Sequence, residues 1–468
     1  MKSPSPLSRR RFLQTTGLGG LLLGATKLGA ANPLKPAKAT GRPRNLIFLV
    51  SDGMTQGVRS AADTWLNLTE NRSSEWTRLY QDGLARRALV ETHSASSIVT
   101  DSAAASSAWG CGQRVPNRSI NFSAEGKELT PLYSFARHAG KRVGLVSTAR
   151  ITHATPAGFA TNVPHRNMED EIARQLIDRE VDVLLGGGGR HFDAASRKDG
   201  QDLFAHARQQ NYQVLRTRDD LRKAQGGQGK LLGTFSKSHV PFYLDRQHDA
   251  ELKRVTPSLE EMMSLALERL QDAPDGFLLQ VEAGRIDHAA HNNDAVAILP
   301  EQLEFDRCIA LARRFSEQHP DTLVVVTTDH GTAGFALNGY GPDYNLATDM
   351  FLSLGKAHHS LEYVAQHASA DASTAQLVGQ LEDALQLKAG PELRQAMQAA
   401  FSQWEHDEQL LGIALRDALY HVYAVNWTSE NHTGEHVEFA AWGPGSDAIP
   451  GFYENWQLHH IIREQMGF

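Results

Sequence analysis

The sequence predicts an α/β fold, a three-layer α/β/α sandwich built on a large, mostly parallel central sheet. From residue 45 onward, short runs of Val, Ile and Leu alternate with amphipathic stretches, as in α/β proteins. The apolar runs do not alternate with polar residues, which is typical of strands covered by helices on both faces. The composition, 41% hydrophobic and 22% charged, is that of a globular protein.

Six apolar runs are the predicted strands of this sheet. In chain order they are Asn45–Val50, Arg142–Val146, Val181–Leu185, Phe277–Val281, Leu323–Thr327 and Val437–Trp442. The amphipathic stretches predict helices at Pro131–Ala139, Glu169–Arg179, Leu259–Leu270, Leu299–Phe315, Thr374–Leu387 and Pro391–Leu411. Because one set of strands spreads over nearly the whole chain, we expect residues 45–468 to form a single domain with insertions near 190–255 and 335–425.

The N-terminal segment has the features of an export signal. The run Ser8-Arg9-Arg10-Arg11-Phe12-Leu13-Gln14 precedes an apolar stretch that is too short to span a bilayer, followed by small residues near Ala31. Residues 1–31 therefore resemble a twin-arginine signal peptide, with 32–44 as a linker. A basic tail without an export role is the alternative. The signal implies recognition by the twin-arginine export machinery and a periplasmic or secreted location.

Net charge and cysteine content exclude several classes of protein. The 47 Lys and Arg against 54 Asp and Glu give a net charge of −7, whereas a nucleic-acid-binding protein usually carries a basic face, so no nucleic-acid partner is expected. Two cysteines, Cys111 and Cys308, are too few for a disulfide framework or a four-thiolate zinc site. Packing and bound ions must then stabilise an exported form.

Polar residues with ligand chemistry directly follow four of the predicted strands. The four segments are Ser51-Asp52-Gly53-Met54, Ser147 to Pro156, Glu282 to His291 and Thr328-Asp329-His330-Gly331. The carboxyl ends of parallel strands meet at one edge of a sheet, where ligands bind in open α/β folds. A turn explains a single Asp-Gly or Asp-His pair, but four such segments at one edge indicate a functional site.

These residues divide according to the metal ions that they suit. The mixed imidazole and carboxylate ligands that zinc accepts are Asp287, His291, His432, Asp329 and His330. Asp287 and His291 are four positions apart, so they share one face of a helical turn. The oxygen ligands that suit magnesium are Glu282, Thr155 and Asp52. Asp52 has two carboxylate oxygens and can therefore contact two ions.

Ser102 is the candidate nucleophile. The segment Val99–Ala108 begins with capping residues and continues as an alanine-rich helix, which predicts Ser102 at a helix N-terminus. The helix dipole favours an alkoxide and a bound phosphate at that position. A simple capping role is the alternative. Because no Gly-x-Ser-x-Gly motif is present, a metal-activated serine fits better than a Ser-His-Asp triad.

The motifs at these positions resemble those of the alkaline phosphatase family. They are Asp52-Gly53-Met54, Thr100-Asp101-Ser102-Ala103, His153-Ala154-Thr155-Pro156, Val281-Glu282-Ala283-Gly284, Ile286-Asp287-His288 through His291, Thr328-Asp329-His330 and Asn431-His432-Thr433-Gly434-Glu435. Identity, order and spacing agree from about Asn45 to Gly443. The resemblance implies an enzyme that hydrolyses phosphate monoesters through a covalent phosphoserine intermediate. It further implies a homodimer, with helical insertions near the active-site entrance.

The resemblance also implies a role for each site residue. Asp329, His330 and Asp52 would hold the zinc ion that activates Ser102. A second zinc ion, which stabilises the leaving oxygen, would be held by Asp287, His291 and His432. One magnesium ion would be held by Glu282, Thr155 and Asp52. Arg166 would bind two phosphate oxygens with its planar guanidinium. His153 and His288 stand where the family varies, near the magnesium site or the bound phosphate.

Three other functions are compatible with parts of this pattern. A phosphodiesterase of the same superfamily would use a similar metal site, but Arg166 favours a terminal phosphate with two free oxygens. A sulfatase would need a Cys/Ser-x-Pro-x-Arg context, which is absent around Ser102. A phosphate- or metal-binding protein without turnover would not need the nucleophile that the sequence retains.

Overall fold

The computed structural model describes residues 41–369, 371–404, 407 and 410–468. The predicted signal at 1–31 and the linker up to residue 40 lie outside the described residues. No helix in the described part of the chain combines the length and the apolarity that crossing a membrane requires.

The described residues form the predicted α/β fold. The strands β1 to β14 are Asn45–Val50, Arg86–Glu91, Arg142–Arg150, Val183–Gly187, Tyr212–Leu215, Lys230–Thr234, Phe277–Glu282, Thr322–Thr327, Gly331–Thr332, Ala336–Leu337, Val425–Asn426, His432–Thr433, Val437–Trp442 and Phe452–Glu454. A 10-stranded sheet has the order β14-β2-β13-β8-β1-β7-β3-β4-β6-β5. Every neighbour in it is parallel except β13, so the prediction of a mostly parallel sheet is confirmed.

Helices cover both faces of the sheet. The helices α1 to α19 are Gln56–Glu70, Glu75–Gln81, Ser102–Cys111, Leu132–His138, Ala154–Ala160, Glu169–Asp178, Leu203–Gln209, Arg218–Lys223, Tyr243–His248, Ala250–Val255, Leu259–Leu270, Arg285–His291, Ala295–Gln318, Ala347–Leu352, Leu361–His367, Thr374–Leu385, Pro391–Gln403, Leu411–Tyr423 and Gln457–Met466. Helices α1, α11 and α13 contribute to the core on one face, and α3, α5 and α6 contribute to the core on the other.

Strand β1 shows how the three layers are held together. Its side chains alternate between the two cores, with Ile47 and Leu49 on one face and Leu46, Phe48 and Val50 on the other. All five are completely buried. Burying each such side chain stabilises the fold by about 1.5–3 kcal/mol. The sheet edge that carries the site is therefore anchored from both sides.

The structure extends the predicted sheet in three places. Strands β5 and β6 lie inside the insertion predicted near 190–255, so this insertion adds strands to the sheet as well as helices. Strands β2 and β14 were also not predicted. The predicted helix Pro391–Leu411 is shorter in the structure, because α17 ends at Gln403 and Trp404 is extended; Leu411 begins the next helix, α18.

Strand β13, near the C-terminal end of the chain, is an interior strand that joins two parts of the sheet. It lies between β2 and β8 and runs antiparallel to both, with Phe439 opposite Thr327 on one side and Ala88 on the other. Strands β2 and β14 therefore join the rest of the sheet through β13.

Candidate metal and phosphate site

The ends of β1, β3, β7 and β8 bring the predicted site residues together. β1 lies between β7 and β8, and β3 lies beside β7, so their carboxyl ends form one continuous edge. Gly53 allows the turn after β1 to pass close to α12. Its φ is +70°, and a Cβ at this position would lie 2.6 Å from Asp287 Oδ1. The glycine thus lets Asp52 and Asp287 approach each other.

The first cluster consists of Asp287, His291 and His432, whose ligand atoms lie within 4.8 Å of one another. Nε2 of His291 lies 3.4 Å from Asp287 Oδ2 and 3.0 Å from Nε2 of His432. Each histidine donates its Nδ1–H to a main-chain carbonyl, that of Glu430 at 2.6 Å and that of Thr100 at 2.8 Å. These bonds turn both Nε2 atoms toward the same point, as second-shell carbonyls do in metal sites.

The second cluster consists of Asp52, Asp329 and His330, again within 4.8 Å. All three are buried. Nε2 of His330 lies 3.1 Å from Asp329 Oδ2 and 3.7 Å from Asp52 Oδ1. Ser102 Oγ lies 3.2 Å from the same Nε2. The predicted nucleophile therefore stands directly beside the second cluster.

The third cluster consists of Asp52, His153 and Glu282. Thr155 donates its hydroxyl to Asp52 Oδ2 at 3.1 Å, and Ser147 donates its hydroxyl to Glu282 Oε2. The structure thus brings the three predicted oxygen ligands together. It also places His153, which the sequence resemblance put near the magnesium site or the bound phosphate, in the same cluster.

Unpartnered buried atoms show that these clusters fit cations. Asp52 Oδ1, Asp329 Oδ2, Glu282 Oε1 and His153 Nδ1 have no hydrogen-bond partner among the described residues. A buried polar group left without a partner costs about 1–3 kcal/mol. The Nε2 atoms of His291 and His432 face each other at 3.0 Å while both Nδ1 atoms donate to carbonyls, so the pair needs a proton or a metal ion between the two nitrogens. The donor set and its orphaned atoms therefore match bound metal ions.

The electrostatics of the chain's own groups support the same conclusion. Burial, with the carboxylates of Asp329 and Asp287, raises the pKa of Asp52 well above its ordinary value. Burial raises the pKa of Glu282 to about 7. Burial, with His330 beside it, lowers the pKa of His432 to about 4, which keeps its imidazole neutral and able to act as a ligand. The chain crowds carboxylates here, and bound cations would offset their negative charge.

Ser102 is positioned by the close packing of two helices. It is the first residue of α3, and the side chain of Asp101 caps this helix by accepting from the N–H of Ala104 at 3.0 Å. Helix α3 packs against α5 at Gly110 and Gly158, where a Cβ on either glycine would overlap the other helix. The small residues of α3 thus bring Ser102 close to the start of α5, which follows His153.

Arg166 is held beside Ser102. Its Nη1 donates to Asp101 Oδ2 at 3.0 Å, and its Nη2 donates to His153 Nε2 at 2.9 Å. The capping aspartate of the nucleophile's helix is therefore also the anchor of this guanidinium. The predicted phosphate-binding arginine lies at the site.

Three side chains that the sequence reasoning did not select also lie here. A cavity of about 810 Å³ opens beside the clusters, lined by His288 and His291 together with Arg150, His239 and Arg285. The rings of His239 and His288 are 4.1 Å apart. His239 follows β6, a strand that the sequence did not predict. The other ligands were selected because they follow predicted strands, so His239 was not selected. Arg285 lies between two of the recognised motifs and belongs to neither, so the motifs provided no reason to select it.

The glycine-rich run at 186–189 spans the end of β4 and the turn that follows it. The N–H groups of Gly188, Gly189 and Arg190 donate to the carbonyls of Ser238, Ser236 and Lys237. These donors are engaged within the fold, so they do not form a phosphate cradle.

Comparison with known proteins identifies the family. The family model described as alkaline phosphatase matches residues 43–467. The chain belongs to the alkaline phosphatase family. It is therefore a phosphatase, a metal-dependent hydrolase of phosphate monoesters, and the metal-binding clusters found here lie within the matched residues.

Relatives of known sequence and structure cover nearly the whole length of this family member. Alkaline phosphatase 3 of Bacillus subtilis is 30% identical and aligns over 98% of this chain and 96% of its own. The alkaline phosphatase of Thermus thermophilus has a TM-score of 0.83 at 31% identity, with 96% of each chain covered. The cold-active alkaline phosphatase of Shewanella sp. has a TM-score of 0.74 at 28% identity, covering 90% of this chain and 99% of its own.

Proposed function

We propose that the protein hydrolyses phosphate monoesters through a covalent phosphoserine on Ser102, at a site that holds two zinc ions and one magnesium ion. One observation carries the proposal: Ser102 begins α3 with its hydroxyl 3.2 Å from Nε2 of His330, beside a buried cluster with unpartnered oxygens. Arg166 is bonded to Asp101, the residue directly before this serine.

The proposed metal assignment follows the chemistry of the ligands. The first and second clusters combine imidazole and carboxylate groups, which suit zinc. Asp52, Glu282 and Thr155 offer hard oxygens, which suit magnesium. His153 stands in this third cluster and supplies no carboxylate oxygen, which makes the site less selective for magnesium. Bound at these positions, the metal ions would lower the pKa of the serine hydroxyl and neutralise charge on the leaving oxygen.

The side chains of the protein account for the remaining steps. Ser102 Oγ forms a bond to phosphorus while the ester P–O bond breaks and the alcohol departs. The N-terminal amides of α3 favour negative charge at the serine and on the phosphoryl group. Arg166 offers two parallel N–H donors to the non-bridging oxygens, whose charge grows in the transition state. Water then cleaves the phosphoserine and releases inorganic phosphate.

We also propose export by the twin-arginine pathway to the periplasm or the medium. The support is the arginine-containing run at 8–14 and the apolar stretch after it. N-terminal sequencing of the exported protein would give a start near Ala31 or Asn32. Recovery of intact Met1 in the exported fraction would contradict a cleaved signal.

Substitution of Ser102 tests the central proposal. In a zinc- and magnesium-loaded Ser102→Ala variant, hydrolysis of p-nitrophenyl phosphate should fall by a factor of about 10³ or more, since the nucleophile is lost. Its zinc content should stay normal, and a ³²P-labelled protein should no longer form. Ser106→Ala is the matched control, because Ser106 lies on the same helix but donates to the Ala154 carbonyl.

The competing function gives a different outcome in the same assay. Faster hydrolysis of bis-p-nitrophenyl phosphate than of the monoester would keep the metal site but assign the protein to the phosphodiesterases. Full monoester activity in Ser102→Ala would overturn the nucleophile assignment.

A further inference from the structure

Arg285 makes contacts that the proposed reaction does not use. It begins α12, the helix that also carries Asp287 and His291. Its side chain is 3% exposed, although it lines the cavity beside the metal clusters. A buried guanidinium is retained where its donors are engaged in specific contacts.

The guanidinium of Arg285 connects three parts of the cavity wall. Nη1 lies 2.9 Å from Nδ1 of His288, and Nη2 donates to Glu362 Oε1 at 2.6 Å. The plane of the guanidinium lies over the ring of Phe242, 3.8 Å from its centroid. These contacts fix the position of the arginine from two sides and across one face.

The contact with Arg285 determines which nitrogen of His288 carries the proton. An arginine is always protonated and only donates hydrogen bonds. Nδ1 of His288 must therefore accept, and the neutral ring carries its hydrogen on Nε2. Within the described residues, Nε2 of His288 has no hydrogen-bond partner. His288 thus offers an N–H donor to the cavity that it lines.

His288 lies on the phosphoryl side of this cavity. Its ring is 5.5 Å from the ring of His153, which accepts a hydrogen bond from Arg166. A donor at this position complements the negative oxygens of a phosphoryl group. The opposite tautomer would present a lone pair and repel them.

The residues that hold Arg285 belong to segments far away in the sequence. Glu362 lies on α15, within the insertion near 335–425. Phe242 directly precedes α9, within the insertion near 190–255. Through Phe242 and Glu362, the two insertions therefore hold Arg285, which orients His288. Neither Phe242 nor Glu362 belongs to the metal clusters.

We propose that Arg285, held by Glu362, is a positioning residue that fixes His288 as an Nε2–H donor for a phosphoryl oxygen of the substrate. The inference rests on the proposed function, since it concerns the phosphoryl group that Ser102 attacks. Arg285 and Glu362, which are not metal ligands, then contribute to the affinity of the protein for phosphate.

A double-mutant cycle with His288 tests the inference. Calorimetric binding of inorganic phosphate to the zinc-loaded protein should weaken about tenfold in Arg285→Gln, the loss of one charge-assisted hydrogen bond. In a His288→Ala background the same substitution should change phosphate affinity less than twofold, because the group that Arg285 orients is already absent. KM for p-nitrophenyl phosphate should rise more than kcat falls.

Conservative variants separate positioning from general stability. Arg285→Lys should recover part of the affinity, since an ammonium donates to Nδ1 but cannot also keep the planar contact with Glu362. Glu362→Gln should weaken phosphate binding by a smaller factor than Arg285→Gln. These two variants carry the test if Arg285→Gln does not fold.

Arg246→Gln is the matched control. Arg246 pairs with Glu304 at 2.6 Å with side chains 3% and 1% exposed, a burial like that of Arg285. This variant should lower the melting temperature and leave phosphate affinity unchanged.

Two outcomes would overturn the inference while leaving the proposed function intact. One is an equal loss of phosphate affinity from Arg285→Gln with and without His288. The other is a loss of zinc in Arg285→Gln that explains the weaker binding. The proposed function fails separately, if Ser102→Ala keeps its monoester activity.

Discussion

Two equally buried groups of carboxylates in this protein are neutralised in opposite ways. In the arginine-paired group, Glu304 accepts from Arg246 at 2.6 Å and from the N–H of Leu259 at 2.8 Å. In the metal clusters, Asp52 and Asp329 are just as buried, yet no Arg or Lys in the described part of the chain pairs with either. One group carries its own positive charge and the other depends on ions from solution.

Because of this difference, the contributions of the two groups to stability depend differently on the concentration of metal ions. A buried arginine–glutamate pair is present whenever the chain is folded, so its contribution is constant. The clusters become fully satisfied only when ions bind, and stability then depends on ion concentration. Part of this fold's stability is therefore conditional on metal.

Removal of metal should give the largest effect. A zinc-selective chelator should reduce monoester hydrolysis to background and lower the melting temperature, because each occupied site contributes about 4 kcal/mol when free zinc is 1,000 times its dissociation constant. Differential scanning calorimetry with and without chelator measures the shift, and added zinc should reverse it. An unchanged melting temperature after verified zinc loss would contradict the conditional contribution.

Substitution of one carboxylate from each group should change the stability of the metal-free protein in opposite directions. Glu304→Gln should destabilise by about 3 kcal/mol with or without metal, because it leaves Arg246 buried and unpaired. Asp52→Asn should raise the melting temperature of chelated protein, because it removes one of several crowded negative charges, which together with burial hold the pKa of Asp52 well above its ordinary value. It should lower the melting temperature of the zinc-loaded protein.

Denaturation curves for both variants, in zinc and in chelator, check this contrast. Destabilisation by Asp52→Asn in chelator would mean that the hydrogen bond it accepts from the Thr155 hydroxyl outweighs the repulsion.

Asp294 should give the smallest effect and represents a third way to neutralise a buried carboxyl. It accepts from the N–H groups of Val296, Ala297 and Leu361, and burial raises its pKa to about 7, against 3.8 in the unfolded chain. A raised pKa means that its stabilising contribution is full below about pH 4 and is lost as pH rises through 7.

The Asp294→Asn variant cannot ionise at this position, so it isolates that contribution. The free energy of unfolding of the wild type minus that of the variant should fall between pH 4 and 7. The contact with Leu361 is lost at every pH and shifts the difference by a constant. A difference that does not vary with pH would show that Asp294 ionises freely in the folded protein.

The sequence predicted the parts of the fold that are buried on both faces. Strands such as β1 and β8 are continuous apolar runs, which only a covered sheet explains. Strand β2 was missed because it carries Arg86 and Arg87 and exposes Leu89, so its pattern is that of a half-exposed strand. Strand β5 has four residues, too few for a reliable pattern.

The predicted ligands that follow β1, β7 and β8 lie close together because strand order places the carboxyl ends of those strands side by side. His239 and Arg285 were missed for a physical reason. Their importance comes from contacts with residues distant in sequence, such as Glu362, and no local pattern records such contacts.

The place of β13 in the sheet has a consequence for biosynthesis. β2 is made early, but its neighbour in the sheet, β13, ends at residue 442. A ribosome must therefore release almost the entire chain before β2 can pair with its native partner. Such long-range pairing slows folding and exposes unpaired strand edges in the meantime. The last candidate metal ligand, His432, is made just before β13, so the metal site and this part of the sheet can be completed only together.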